Sequence, residues 1–490
     1  MQLLEGDFQF LEQDYMHDFR RRGVNMYDLI LKNGLIIKPE ESFYADIAIK
    51  DEKFVSIETN GIEGEAKRVI DLQGKFIMAG IIDPHNHIHA RFGGIIDDLD
   101  FYSASRAAAF GGVTMLIDFS ESKKGSSVLE AVKKRIEDMK ISAIDYSVHA
   151  KIPEATQAVL DEISDIIDFG VPTMKMFMTY RNAGVMIEDE DILRVMEECK
   201  KYGGRPGFHA ESNVIAEYNE RKFKAAGTLG WEYFEKAKSN ICELEAVNRI
   251  IAYSEFLDCP IYVFHLSTKE GKKAVEEAQK RGVKVLTETC PHYLTLTKEK
   301  YKQPDGHLFM MSPPLRSTED QEALWEGLND GVISLIGSDN CTFSKKTKET
   351  NLERNPDGSI VQDYTKVING SCGIEERLAL LISAGINSMK ITWNKLTEIT
   401  SQNPAKVFGM YPQKGTISIG SDADLVIIDP NKEVVISAST LHYSLDYSIY
   451  DGIKVKGWPV MTIRRGDILV ENGEFVGEHG SGKFVRRKLK

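Results

Sequence analysis

The feature that most constrains the fold is a repeat of short apolar segments, each followed by an amphipathic helical or loop segment, in the middle of the chain. The eight apolar segments are KFIMAGIIDPHNH, GVTMLIDFS, DYSVHAKI, PTMKMFMTY, RPGFHAES, PIYVFHLS, KVLTETCPHYL and VISLIGSDN. Eight strands that alternate with helices predict an α/β fold, a (β/α)8 TIM-like barrel, over residues 80–412. The alternative is a doubly wound open sheet, but that fold usually has a glycine-rich turn where this chain has DPHNH.

The two flanks of this repeat have a different pattern. Residues 26–79 include YADIAIKDEKFVSIET, and residues 413–490 include GWPVMTIRRGDILVENGEF. Apolar alternation broken by Gly and Asn predicts antiparallel strands. We therefore expect both chain ends to build one β-sandwich domain. We expect residues 1–25 to be an N-terminal extension without an assigned role, and the basic tail KFVRRKLK to be solvated.

Charge and cysteine content narrow the class of protein. The 490 residues carry 61 Lys and Arg against 74 Asp and Glu, a net charge of −13. An acidic chain disfavours nucleic acid or an anionic membrane as the main partner. The six cysteines form no CxxC pair, which is typical of reduced thiols in a cytosol. No apolar run is long enough to span a membrane, and the N-terminus is too charged for a signal peptide, so we expect a cytoplasmic protein.

Imidazole and carboxylate side chains stand near the ends of several predicted barrel strands. They are His85 and His87 on the first strand, His209 on the fifth, His265 on the sixth and Asp339 on the eighth. The carboxyl ends of barrel strands meet at one mouth, and residues two apart on a strand share a face. A single histidine there is usually a core residue, but this set indicates a metal site. Its ligand types suit zinc, with manganese, iron or cobalt as alternatives.

Lys175 is the unexpected residue of the fourth strand, VPTMKMFMTY. A charged ammonium in an apolar strand costs several kcal/mol unless it is paired or neutralised. Burial lowers the pKa of a lysine and favours the neutral amine, which reacts with carbon dioxide to give an anionic carbamate. The carbamate oxygens could each reach one metal ion. We therefore expect Lys175 to be modified to N6-carboxylysine.

The chain resembles a known family, the cyclic amidohydrolases of the amidohydrolase superfamily. The resemblance is strongest to the dihydropyrimidinase and D-hydantoinase branch. The resemblance covers nearly everything after Met26. Its motifs include GIIDPHNH, KMFMTY, HAES, VFHLS, ETCPHYL, MSPPLRS, GSDNCTF, INGSCGIEER and DGIKVKGWPV. It implies a metal-dependent barrel with a β-sandwich built from both termini. It also implies a homo-oligomer, a tetramer or a dimer.

The resemblance further implies a binuclear site with two divalent ions, zinc being the expected metal. His85 and His87 would bind one ion with Asp339, His209 and His265 would bind the other, and carboxylated Lys175 would bridge them. For the substrate, Tyr180 would hydrogen-bond the developing oxyanion, and Ser312 and Asn369 would hold the ring amide.

These roles imply a hydrolase that opens a dihydropyrimidine or hydantoin ring and gives an N-carbamoyl amino acid. A hydroxide that bridges the metal ions would attack the ring amide carbon. Tyr180 would help to stabilise the oxyanion. Asp339 would act as general base and then as general acid toward the leaving nitrogen. The expected partner is a small cyclic amide or ureide, with no nucleic acid and no membrane.

Four departures from the family pattern leave these ligands intact. They are Asn340 after the aspartate, His89 near the first motif, KSN at 238–240, and the segment 344–362, which is longer than is typical and has no assigned role. A dihydroorotase usually has Arg two residues after the second histidine, where this chain has His89, and this difference counts against a dihydroorotase. The native ring, the stereospecificity, the native metal and the subunit number stay open.

Three alternatives compete with this interpretation. Allantoinases share ETCPHYL, but KMFMTY and DGIKVKGWPV favour the hydantoinase branch. A non-catalytic, dihydropyrimidinase-related scaffold would lose metal ligands, yet all six positions are present. A Schiff-base lyase could use Lys175 as its nucleophile, but that chemistry gives the histidines no role.

Overall fold

The computed structural model describes residues 26–92 and 94–489. The first flank forms five strands: β1 (Met26–Ile37), β2 (Ser42–Lys50), β3 (Lys53–Glu58), β4 (Glu65–Asp71) and β5 (Phe76–Ala79). β1 pairs antiparallel with β2, and β2 with β3. The buried positions of β2 form a continuous stretch that ends in Ile47, Ala48 and Ile49, so this strand is covered on both faces. The predicted extension at 1–25 lies outside the described residues.

The middle of the chain contains the eight predicted barrel strands. They are β6 (Ile81–Asn86), β9 (Val113–Phe119), β10 (Asp145–Lys151), β11 (Thr173–Phe177), β12 (Arg205–His209), β13 (Ile261–Val263), β14 (Val285–Thr289) and β15 (Leu335–Ile336). Neighbouring strands run parallel in chain order. The short strands β7 (Arg91–Phe92) and β8 (Ile95–Ile96) form a hairpin after β6. Every residue of β9 is buried, as expected of a parallel strand covered on both faces.

The last strand returns beside the first, so the sheet is nearly closed. Asn340 bridges Asn86 in parallel, and the Ser338 backbone N–H donates to the Asp83 carboxylate at 3.0 Å. Arg377 donates to the same carboxylate and to the Ile336 carbonyl, which joins β6 to β15 from outside the ladder. The predicted TIM-like barrel is therefore confirmed, and the open-sheet alternative is wrong.

Helices surround the barrel and fill the connections between its strands. They are Phe101–Phe110, Val128–Asp138, Gln157–Asp168, Asp189–Tyr202, Asn213–Ala225, Tyr233–Ala237, Asn240–Leu257, Lys269–Lys280, Pro291–Thr295, Thr318–Asp330, Lys345–Lys348, Arg377–Leu381, Trp393–Thr397 and Asn403–Val407. The helix Gln157–Asp168 is typical: it buries residues at the three- and four-residue spacing of one face, and the Thr156 side chain caps its first turn. No helix in the part of the chain that the structure describes has the length and apolarity to cross a bilayer.

The second flank adds β16 (Leu425–Val435), β17 (Lys454–Arg464), β18 (Asp467–Glu471) and β19 (Glu474–Phe475) to the strands of the first flank. The junction is the antiparallel pair of β5 and β16, in which Ala79 faces Leu425. The resulting nine-stranded sheet encloses its own apolar core, which includes Ile47, Ile77 and Ile463. The expected sandwich-like domain from both chain ends is confirmed, while its boundaries at residues 79 and 412 stay predictions.

The basic tail was expected to be solvated. This expectation is wrong for Phe484, Val485 and Arg487, while Lys483, Arg486 and Lys488 are exposed. Phe484 bridges Tyr146 of β10, and Arg487 is only 2% exposed. The Arg487 guanidinium donates to the Ser147 hydroxyl at 2.8 Å and to the Thr173 hydroxyl at 2.9 Å. The tail packs along the start of β10 and β11 because its apolar residues and its guanidinium find partners there, which a count of its charges does not reveal.

Candidate active site

A cavity of about 360 Å³ opens at the carboxyl end of the barrel strands. Its lining includes most of the residues that the sequence singled out, namely His87, Tyr180, His209, His265, Ser312, Asp339 and Asn369. The other two, His85 and Lys175, are fully buried and contact residues of the lining. The structure therefore brings all nine predicted site residues to one place, which agrees with the usual position of active sites in this fold.

The first cluster consists of His85, His87 and Asp339. The Nε2 atom of His85 lies 3.0 Å from Oδ1 of Asp339, and Nε2 of His87 lies 3.5 Å from the same oxygen. The two imidazole Nε2 atoms are 3.3 Å apart. Burial acts to raise the pKa of Asp339, but the adjacent His85 outweighs it and holds that pKa well below its ordinary value. An ionised carboxylate and two imidazoles that converge in this way form a donor set for a divalent metal ion.

His209 and His265 form a second pair beside the first cluster. Their ring centroids are 4.3 Å apart, and the His265 ring lies 5.3 Å from that of His85. Burial lowers the pKa of His209 to about 4 and holds that of His265 well below its ordinary value. Both imidazoles are therefore neutral near pH 7, which is the form that binds metals.

Lys175 lies at the base of these clusters. Its side chain is fully buried, and its Nζ atom has no hydrogen-bond partner among the described residues. The amine lies 3.7 Å from the ring centroid of Phe264 and 4.8 Å from that of Phe119. Burial lowers its pKa to about 7, although Asp339 and Glu288 oppose this shift. A buried amine with no acceptor and a weakened base strength fits the predicted conversion to a carbamate.

Two carboxylates that sequence reasoning missed hold the histidines in place. Glu288 on β14 bonds Nδ1 of His85 and accepts a hydrogen bond from the Tyr262 hydroxyl at 2.7 Å. Glu211 accepts from Nε2 of His209 at 2.8 Å. Metal-binding histidines usually donate their second ring N–H to such a group, which fixes the tautomer and the ring orientation. The signal for Glu211 was its position two residues after His209, the same spacing that pairs His85 with His87.

The predicted substrate contacts lie on the rim of the cavity. Tyr180 adopts a left-handed backbone conformation with φ of 66°, and its ring lies 5.4 Å from that of His209. Burial raises its pKa, so the hydroxyl keeps its proton and can donate. The Ser312 hydroxyl accepts from Asn369 at 3.5 Å and from the Lys238 ammonium at 2.9 Å.

The departures from the family pattern have distinct positions. Lys238, the first residue of KSN, also donates to Glu211 at 3.0 Å. It therefore connects Ser312 on the cavity rim with the carboxylate that holds His209. Asn340 accepts the backbone N–H of His87 at 2.8 Å through its own carbonyl and helps to close the barrel. His89 is exposed and does not line the cavity.

Comparisons with known proteins agree with this geometry. A family model described as "Amidohydrolase family" matches residues 76–469. The chain is 38% identical to a D-hydantoinase of Ralstonia pickettii, over 94% of this chain and 99% of that protein, and 32% identical to a D-phenylhydantoinase of Escherichia coli, over 94% and 98%.

Solved structures give the same result. A structure titled D-hydantoinase matches with a TM-score of 0.90 at 38% identity, over 94% of this chain and 99% of the other. A dihydropyrimidinase from Brevibacillus agri matches with a TM-score of 0.89 at 35% identity, over 94% and 98%. Since the family model and these relatives cover nearly the whole described barrel and sheet, this chain belongs to the amidohydrolase family.

Proposed function

We propose that this protein hydrolyses a cyclic amide bond in a dihydropyrimidine or hydantoin ring and releases an N-carbamoyl amino acid. The observation that carries the proposal is the convergence of four histidines, Asp339 and the unpaired amine of Lys175 at one cavity. The names of the relatives, D-hydantoinase and dihydropyrimidinase, support the same substrate class. A cavity of about 360 Å³ suits a single small ring.

The donor set fits two divalent ions, and we propose zinc. His85 and His87 would hold one ion with Asp339, and His209 and His265 would hold the other. The carboxylated Lys175 would be a ligand of both ions. Its Nζ atom, which is buried and has no hydrogen-bond acceptor among the described residues, supports this role. When bound, such ions supply Lewis acidity and lower the pKa of water at the site.

The chain's own groups would then perform the remaining steps. Asp339 would take the proton of the attacking water and deliver it to the leaving ring nitrogen, as a general base and then a general acid. Tyr180 would donate its hydroxyl proton to the developing oxyanion. Ser312 and Asn369 would hold the ring amide at the rim, largely through backbone groups.

We also propose a cytoplasmic homo-oligomer, a dimer or a tetramer. All six cysteines are free and buried, which supports a reducing compartment. The oligomer rests on the family resemblance, and light scattering of the purified protein would measure it.

The test is a rate comparison on dihydrouracil, hydantoin, allantoin and dihydroorotate with zinc-loaded protein, together with metal analysis. We expect two metal ions per chain and ring opening of dihydrouracil or hydantoin. The variant Asp339→Asn keeps the size of the side chain but removes the base, so we expect kcat to fall at least about 100-fold, the usual lower range for a lost general acid or base.

Three outcomes would contradict the proposal. Turnover restricted to allantoin would move the protein to the allantoinase branch. A purified protein that binds no divalent metal and opens no ring would fit a scaffold. Trapping of a carbonyl substrate on Lys175 by borohydride would favour a Schiff-base lyase.

A further inference from the structure

Three charged side chains line one part of the active-site cavity: Arg91, Glu121 and Lys151. Arg91 follows β6, Glu121 follows β9 and Lys151 is the last residue of β10, and these three barrel strands are neighbours in the sheet. Ser312 and Asn369 follow the last two strands, β14 and β15. A ring held by Ser312 and Asn369 therefore shares the cavity with a charged wall that ring-amide chemistry does not use.

Lys151 is directed into the cavity by the sheet register. It is the last residue of β10, and its partner in the ladder is Lys175 of β11, so both side chains leave the same face of the sheet. The Lys151 side chain is only 14% exposed, and its nearest carboxylate oxygen, on Glu121, is 3.8 Å away. That distance is too long for a direct hydrogen bond. The ammonium thus donates no hydrogen bond to any described residue, and burial lowers its pKa.

Arg91 is the second cation of this wall. Its guanidinium forms no ion pair within the ranges 26–92 and 94–489, and it lines the same cavity. A guanidinium presents a planar pair of donors that matches a carboxylate. With two cations against the single carboxylate of Glu121, the wall carries a net positive charge. A neutral substituent would leave both sets of donors unused, and a cationic one would be repelled.

We propose that the ring accepted by this protein carries an anionic substituent, a carboxylate, which Arg91 and Lys151 bind; this inference rests on the proposed function. The carboxylate is attached to the ring directly or through a short carbon arm. On binding, it gives Lys151 the hydrogen-bond acceptor that the described residues do not supply, and Glu121, 3.8 Å away, orients the Lys151 ammonium by its charge. Arg91 and Lys151 are thus residues that determine specificity.

The test uses acid and amide pairs of the same size. Hydantoin-5-acetate is compared with hydantoin-5-acetamide, and dihydroorotate with its carboxamide, on the zinc-loaded protein. We expect kcat/KM for the better acid to exceed that for its amide at least about 10-fold, since a hydrogen bond to a charged group contributes this much or more. The preference should shrink as salt is added, because Arg91 is exposed.

Variants assign the effect to the two residues. Arg91→Gln and Lys151→Met should each lower the acid-to-amide ratio of kcat/KM by about 10- to 100-fold, mainly through KM for the acid. Lys273 lies on the helix Lys269–Lys280 and Arg281 directly follows it; both are exposed and outside the cavity. Arg281→Gln and Lys273→Met remove the same charges there and should leave the ratio unchanged.

The outcomes separate this inference from the proposed function. If the amides are opened as efficiently as the acids, or if the ratio does not change in Arg91→Gln and Lys151→Met, the carboxylate inference is wrong while ring hydrolysis stands. If neither the acids nor the amides are opened by metal-loaded protein, and hydantoin and dihydrouracil are not opened either, the proposed function itself fails.

Discussion

Lys175 shows how one buried group can indicate chemistry at the scale of a residue. Its amine is fully buried against aromatic rings, with no described acceptor and a pKa lowered to about 7. A charged ammonium in this position would lose its hydration, and Asp339, Glu288 and the aromatic rings would compensate for only part of that loss. A neutral amine is a nucleophile toward carbon dioxide, and two metal ions would stabilise the resulting anion. The environment therefore favours modification over a structural role.

We predict that Lys175→Arg abolishes the proposed carboxylation and most of the activity. An arginine keeps a cation but forms no carbamate, so the metal content should fall and kcat should drop at least about 100-fold, because metal ions supply several kcal/mol of transition-state stabilisation. Labelled bicarbonate should give a carbamate carbon signal in the wild-type protein and none in Lys175→Arg. Lys151→Arg is the matched control, since Lys151 is the ladder partner of Lys175, and it should keep the signal.

The pH dependence of this modification has a definite sign. The ammonium form of Lys175 does not react, and its pKa is about 7 in the folded protein. Loading of metal-free protein with zinc and bicarbonate should therefore accelerate as the pH rises through about 7. A loading rate that falls over this range would contradict the amine chemistry.

Sequence reasoning located the metal-ligand candidates but not their supports. His85, His87, His209, His265 and Asp339 stand near strand ends, and strand ends of a barrel must converge. Glu288 also lies near the end of its strand, but its role as a support depends on its contact with His85 across the closed barrel, which the sequence does not reveal. The cationic wall of Arg91 and Lys151 was missed for the same reason.

At the scale of elements, the segment 344–362 has a role that its sequence does not reveal. Its helix, Lys345–Lys348, ends in a fully buried lysine. The Lys348 ammonium donates to the Met310 carbonyl at 2.9 Å and to the Gly370 carbonyl at 2.7 Å. These carbonyls lie in the two loops that carry Ser312 and Asn369. The segment therefore connects the two loops of the proposed substrate rim to each other.

We predict that Lys348→Met loosens this rim. The variant removes both hydrogen bonds, and misplaced substrate groups should lower kcat/KM by about 10- to 100-fold while the metal content stays the same. Lys346→Met, an exposed position on the same helix, is the control and should behave as the wild-type protein. Loss of bound metal in Lys348→Met would contradict a role confined to the rim.

The strands themselves were predicted well, but their ends were not. The sixth and eighth barrel strands extend in the sequence interpretation to His265 and Asp339, whereas β13 ends at Val263 and β15 at Ile336. His265 and Asp339 have positive φ values of 40° and 50°. These conformations turn the chain out of the ladder and are uncommon for residues other than glycine, so local propensity does not reveal them.

At the scale of the whole molecule, a buried ion cluster joins the barrel to the sheet of the flanks. The Lys414 ammonium lies 2.8 Å from Asp145 of β10, 3.0 Å from Asp422 and 2.6 Å from Asp424. All four side chains are buried. The three carboxylates could be taken for a cation site, but Lys414 already supplies the positive charge among them. The cluster fixes the position of β16 against the start of β10.

We predict that Lys414→Met strongly destabilises the protein. Removing one partner of a buried ion cluster leaves unpaired charges and costs about 3–5 kcal/mol in the free energy of unfolding. Lys454→Met removes a lysine from an exposed pair with Glu433 in the same sheet, and should cost at most about 1 kcal/mol. Urea midpoints of the two variants measure the difference, and equal midpoints would contradict the role of the cluster.

The same cluster predicts how stability depends on pH. Burial outweighs Lys414 at Asp424 and raises the pKa of that carboxyl. At Asp145 and Asp422, Lys414 outweighs burial and holds the pKa of both below the ordinary value of 3.8. Their contribution is therefore present above pH 3.8 and is lost as the pH falls through the lowered values. In Lys414→Met this loss should begin at a higher pH.

The pairing of β5 with β16 has a consequence for how the protein is made. β5 leaves the ribosome early, but its neighbour β16 follows only after the entire barrel, on the order of tens of seconds later at ordinary rates of translation. Until β16 is synthesised, the edge of β5 that pairs with it is unpaired and can pair with another nascent chain. Chaperone demand during synthesis should therefore depend on how quickly translation reaches the second flank.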